Sequence, residues 1–147
     1  MVYLVTLSSH DLLHQENHQV HNYADVTRVM VSGPTGNYTF RVTLRSPDKG
    51  CSQYADWWEV VNDEGELVYR RILAHSHVSE QPFTRQGGAV KVEEAQNVWI
   101  RAHMNNSGYG GTAFYGNAKH GFATKDWPTG FGDNIENQKP QPGGCAF

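Results

Sequence analysis

The chain has 147 residues, the length of one ordinary domain and enough to bury most of its unfolded surface in a single core. Apolar residues make up 38%, charged residues 18% and aromatic residues 12%, with 15 Gly, 4 Trp and 7 Tyr, a mixture that favours strands and turns over long helices. A formal charge of −3 and the lack of any Lys/Arg run leave no electrostatic footprint for nucleic acid or an anionic membrane surface, and no stretch is apolar for long enough to cross a bilayer.

In chain order, "MVYLVTLSSHDLL" has no basic leading region and only about seven residues of strand-like apolar pattern, short of a signal peptide, so the default expectation is a cytoplasmic protein. In the next segment Ser8 and Asp11 have capping-box spacing, but the apolar residues are only Leu12, Leu13 and Val20, so a helix and a polar loop both remain open. If helical, it would gather His10, His14, His18 and His21 within an arc of about 80°. Pairs four apart can chelate a metal, although a hydrated histidine face is the commoner outcome. Nothing supplies the Glu of an H-E-x-x-H motif, which excludes a zincin-type protease.

"VTRVMVSGPTGNYTFRVTLRSP" predicts a hairpin about Gly33-Pro34-Thr35-Gly36-Asn37, with Tyr38, Phe40, Val42 and Leu44 on one side of its second strand. "ADWWEVVNDEGELVYRRILAHSHV" predicts a second hairpin that turns at Asn62-Asp63-Glu64-Gly65 and runs on to His77. Pro82 and Gly87-Gly88 are read as breaks. "AVKV" and "NVWIRAHMN" follow as strands, the latter with Val98, Ile100, Ala102 and Met104 on one side and Trp99, Arg101, His103 and Asn105 on the other. Short strands with turn signals between them indicate an all-β, antiparallel two-sheet sandwich, with a jelly-roll or small barrel as variants.

From Asn106 onward the sequence is Gly-rich and non-periodic, and it is read as an irregular tail of one domain spanning 1–147. Its aromatics (Tyr109, Phe114, Tyr115, Phe122, Trp127, Phe131, Phe147) are too many for a disordered segment, so the tail is expected to pack on the sandwich or on a neighbouring copy. Cys51 and Cys145 form an even pair. Bonding would contribute roughly 4–5 kcal/mol in the chain-entropy model, but a reducing cytosol would keep both as thiols, so spacing leaves the bond open.

On one strand His75 and His77 would stand about 6.6 Å apart on the same face. Two imidazoles so placed can converge on one ion at about 2.0–2.1 Å each, given a third ligand from His103 or Glu80. Hydrated polar surface is the commoner origin of such a pair, and an acid-sensitive switch is a third reading. The set His75, His77, Glu80 and Gly87 resembles in part the first metal motif of the cupins, small β-barrels in which two histidines, a glutamate and a later histidine hold Fe, Mn, Ni or Zn. The resemblance spans some thirteen residues; the family places its glutamate one or two residues further on, and no Pro-x-Gly precedes His103. It implies a metal-dependent enzyme with a divalent ion such as Zn, Cu, Fe or Ni.

"CSQYADWWEVV" places Trp57 and Glu59 on one strand face and Trp58 and Val60 on the other, so one tryptophan looks outward or is covered. An outward Trp beside Arg and Glu can stack a sugar ring or another planar ligand; alternatively the tail aromatics cover it. Asp56 and Glu59 are expected on opposite faces, which disfavours a shared acid/base role. No G-x-S-x-G occurs, and Gly108, Gly110 and Gly111 open no helix that could cradle a phosphate. The reading carried forward is a binding module whose polar sheet face bears Trp57, Glu59, Arg71, Trp99 and Arg101 for a small-molecule or carbohydrate ligand, with His75, His77, His103 and Glu80 for a metal. The alternatives are a cupin-like metalloenzyme and a self-assembling protein whose tail clasps another copy.

Overall fold

The structure is a computed structural model that describes residues 22–146. The histidine segment His10, His14, His18 and His21, the pair Ser8 and Asp11, and Phe147 lie outside the described residues.

The first hairpin forms where the turn residues predict it: β1 (Asp25–Ser32) pairs antiparallel with β2 (Tyr38–Arg45). Gly33 and Gly36, at φ 95° and 78°, supply the left-handed conformations the connection needs. Along β2, Tyr38, Phe40, Val42 and Leu44 are buried while Arg41 and Arg45 face water, the alternation of a half-buried strand. The second hairpin joins β3 (Ala55–Asn62) to β4 (Leu67–Ile72). Its turn is held by Asn62, whose side-chain oxygen accepts from the backbone N–H of Glu64 (3.0 Å) and Glu66 (2.9 Å). Then come β5 (Phe83–Val90), β6 (Val98–Met104), β7 (Ala113–Asn117) and β8 (Gly121–Lys125).

Two antiparallel sheets result, ordered β1-β2-β5 and β4-β3-β6-β7-β8. Their facing sides enclose a core that includes Phe40, Val42, Leu44, Trp58, Val60, Phe83 and Ile100, so the architecture is a two-sheet β-sandwich. In β3 every residue but Asn62 is buried, and in β6 every residue is. Strands buried on both sides need a second cover, and the tail provides it. Beyond β8 the chain crosses the outer side of the larger sheet, where Trp127, Phe131 and Ile135 pack with Val61 and Trp99 into a second apolar cluster.

Three expectations are corrected. Gly87 and Gly88 lie inside β5 and do not break it. A Cβ at Gly87 would stand 2.6 Å from the Tyr69 hydroxyl and one at Gly88 2.7 Å from the Tyr38 carbonyl, so these glycines permit close approach within a strand. The tail is not irregular throughout, because β7 and β8 form a hairpin that extends the larger sheet. Finally, β4 stops at Ile72 and does not reach His77. From Ala74 the backbone turns to the chain's end instead: Ala146 donates to the Ala74 carbonyl (2.8 Å) and Ser76 donates to the Ala146 carbonyl (2.9 Å).

The same end is fixed covalently by the disulfide Cys51–Cys145, which joins residues 94 apart in sequence. Closing so long a loop removes unfolded-state entropy worth about 4–5 kcal/mol in the chain-entropy model. The double variant Cys51→Ser/Cys145→Ser should therefore lose about 3–5 kcal/mol of unfolding free energy in urea. An unchanged midpoint would show that the bond does not make this loop-closure contribution.

Candidate functional site

The register of β3 against β6 sets Trp57 opposite His103, Glu59 opposite Arg101 and Val61 opposite Trp99. Opposed residues share a face, so these side chains stand together as the alternation predicts. The third strand brings a different arginine from the one expected. Arg70 opposes Glu59, whereas Arg71 opposes Trp58 on the core-facing side and donates to the carbonyls of Gln86 (2.9 Å) and Ile72 (2.6 Å). Arg71 thus leaves the polar face and Arg70 takes its place.

Glu59 is fully buried and accepts from Nε of Arg70 and Nε of Arg101, both at 2.7 Å. Burying ions is costly unless every donor and acceptor is matched. For Arg70 the tail completes the match: Nη2 donates to the Ile135 carbonyl (2.8 Å), and Nη1 to those of Pro140 (3.0 Å) and Gln138. Arg101 receives less, donating from Nη2 to the Gly132 carbonyl (2.7 Å). Aromatic faces cover both cations, with Arg70 4.1 Å from the Trp57 ring centroid and Arg101 3.5 Å from that of Tyr109 and 4.2 Å from that of Trp127. Burial, and next the Glu59 charge, push the Tyr109 phenol well above its ordinary range, against the pull of Arg101.

His103 lies flat on Trp57, ring centroids 3.7 Å apart and planes 3° from parallel. Nδ1 is 2.6 Å from Asp56 and Nε2 is 2.7 Å from Glu136 of the tail. Two hydrogen bonds among three such groups require two protons, carried either by an imidazolium or by a neutral ring and one protonated carboxyl. Asp56 reaches this face because the β3–β6 register slips between Ala55 and Trp57, a bulge that turns its side chain to the side of Glu59. The expectation that Asp56 and Glu59 face apart is thereby corrected.

The residues expected to ligate a metal are dispersed. His75 is exposed beside the chain's end, where it bridges to Ala146. His77 is buried on the other side of Ser76, stacked on Phe83 at 3.9 Å, with Nε2 2.9 Å from Arg85; Glu80 pairs with the same arginine at 3.0 Å. His103 shares none of these neighbours. Among the described residues no three His, Cys, Asp or Glu side chains are placed to hold one ion. At His103 the two carboxylates sit at opposite ends of the ring and so do not converge. Burial, and next the positive charge of Arg85, hold the His77 imidazole below its ordinary value of 6.5.

Beside the buried cluster lies an open groove of about 810 Å³, walled by Arg101, Tyr109 and Trp127 on one side and edged by Thr124, Lys125 and Asp126 of β8 and its continuation. Trp57 and Trp99 do not reach it, being 2% and 4% exposed beneath the tail. Tyr109 and Trp127 line it in their place. Sequence reasoning noticed these two only as tail aromatics; their position beside Arg101 follows from how the tail folds back.

Glu59→Gln keeps the shape and removes the charge that two arginines share. It should cost about 3–5 kcal/mol of stability in urea at pH 7, and a loss below about 1 kcal/mol would show that Glu59 does not anchor the tail. For His77 the folded state resists protonation, so the unfolded state takes up the proton first as the pH falls. Its contribution leaves stability unchanged above pH 6.5 and lowers it from there down through the depressed folded value. The ring's NMR titration should show a midpoint under 6.5; one at or above that value would contradict the burial assigned to it.

No family model matches the chain, and no solved structure matches it. Over 92 residues it is 40% identical to a protein of Halomicrobium mukohataei described as a "Putative lipoprotein", an overlap covering 63% of this chain and 44% of that protein. The chain therefore spans less than half the length of this relative.

Proposed function

We propose that this chain is a saccharide-binding module that works outside the reducing cytosol. The observation that carries the binding reading is the groove: Trp127 and Tyr109 stand in its wall with Arg101, while Thr124, Lys125 and Asp126 offer donors and acceptors at its edge. Sugar rings present apolar C–H faces ringed by hydroxyls, and an aromatic plane bordered by polar groups complements both. The proposed compartment rests on the Cys51–Cys145 bond, since structural disulfides persist in oxidising surroundings and are rare in the cytosol. The relative's lipoprotein name agrees with a place at the cell envelope. It is an added argument against the cytoplasmic default.

No observation favours the cupin-like alternative: His77 and Glu80 meet only through Arg85, and His75 and His103 stand apart from them. The self-assembly alternative has less to support it, since Phe114, Tyr115, Phe122, Trp127 and Phe131 of the tail pack against this chain's own sandwich.

Titration calorimetry with a panel of oligosaccharides tests the reading. At least one should bind with a dissociation constant below about 1 mM, and Trp127→Ala should weaken it about tenfold while leaving the circular dichroism unchanged. Lack of binding across the panel, or binding indifferent to Trp127→Ala, would overturn it.

A further inference from the structure

We infer that the saccharide taken up by the groove is an acidic one, whose carboxylate is received by the free edge of Arg101; this rests on the saccharide-binding reading above. Arg101 is 4% exposed, yet it lines the groove. A guanidinium carries five N–H donors. Here Nε is engaged by Glu59 and Nη2 by the Gly132 carbonyl, while Nη1 is buried and has no hydrogen-bond partner among the described residues. A buried donor without an acceptor is destabilising, and native structures seldom retain one without a reason.

Charge points the same way. Glu59 is shared between Arg70 and Arg101, so the three groups together leave one positive charge unmatched. Arg70 has three tail carbonyls besides Glu59, and Arg101 has one. The unmatched charge and the unused donors therefore coincide on Arg101, in the groove wall. Lys125 adds a second cation at the groove's edge, its Nζ 4.2 Å from the Tyr115 ring centroid. The exposed carboxylates of Asp126 and Asp133 also border the groove, where they can accept from a sugar's hydroxyls.

Shape selects the kind of anion. The Tyr109 and Trp127 ring centroids lie 3.5 and 4.2 Å from the Arg101 guanidinium carbon, so whatever meets its edge is flanked by aromatic carbon. A carboxylate is planar and accepts two parallel N–H bonds within that plane.

The test compares tri-galacturonate with the same trisaccharide after its carboxyls are reduced, so that only the charge and its oxygens differ. Binding to the oxidised full chain is followed by the Trp127 indole N–H and the Arg101 Nε–H signals in ¹⁵N–¹H spectra. The acidic sugar should bind at least tenfold more tightly, shift both signals, and weaken as salt is raised. Equal or tighter binding of the neutral sugar overturns the inference and leaves the saccharide-binding reading standing. Preference for the acid without movement of the Arg101 signal overturns the assignment to Arg101. If neither sugar moves the Trp127 signal, both the inference and the reading beneath it fail for this groove.

Discussion

A carboxylate removed from water must be met by cations and donors, and Glu59 is met by two arginines at 2.7 Å each. The larger sheet and the tail are organised around that requirement. Glu59, Arg70 and Arg101 lie on three adjacent strands, aligned across the sheet by its register. Their remaining donors point outward, away from the sandwich core. Open to solvent they would be hydrated; covered, they need acceptors. The tail covers them with its own carbonyls at Gly132, Ile135, Gln138 and Pro140. This stretch is irregular for that reason: carbonyls engaged in a strand ladder would not be free to turn toward a guanidinium.

The second consequence concerns the aromatics. With polar heads held centrally, the rings fill the space around them: Trp57 under Arg70, Tyr109 and Trp127 about Arg101, and Trp99 against Trp127 at 5.0 Å. Trp57 and Trp58 are neighbours in sequence, yet one belongs to this polar layer and the other to the sandwich core. The disulfide and the short pairing of Ala146 with residues 74–76 fix the chain's end. The groove is lined by the tail at Trp127, Thr129 and Asp133 and by β8 at Thr124 and Lys125.

Much of the fold was legible because alternation is a local signal. Tyr38, Phe40, Val42 and Leu44 declare a buried face without reference to any partner, and Trp99, Arg101 and His103 declare a common one. What escaped depended on pairing between distant segments. Arg70 was passed over for Arg71 because the β3–β4 register slips by one residue between Val60 and Val61, which moves Arg70 opposite Glu59 and Arg71 opposite Trp58. Asp56 was assigned to the wrong face because one bulged residue reverses the alternation. The strand was carried on to His77 because its end is decided by residue 146, more than seventy positions away. Gly87 and Gly88 read as breakers because the crowding that requires them comes from Tyr69 and Tyr38. The Cys51–Cys145 bond stayed open because spacing carries no information on the redox surroundings.

The asymmetry between the two arginines bears most on function. Stability alone would be served by an apolar filling of similar volume, since replacing a buried ion cluster by well-packed hydrophobic residues is often neutral or favourable. Stability would equally be served by carbonyls around Arg101 as complete as those around Arg70. Neither is found. Arg70 is enclosed by the tail, whereas Arg101, on the same carboxylate and in the same layer, lines the groove and has a buried Nη1 without a partner among the described residues. The pairing with Glu59 and the flanking rings fix the guanidinium's plane before any ligand arrives, so little rotamer freedom remains to be lost on binding. Of the six guanidinium nitrogens in the pair, Nη1 of Arg101 is the one left without an acceptor among the described residues.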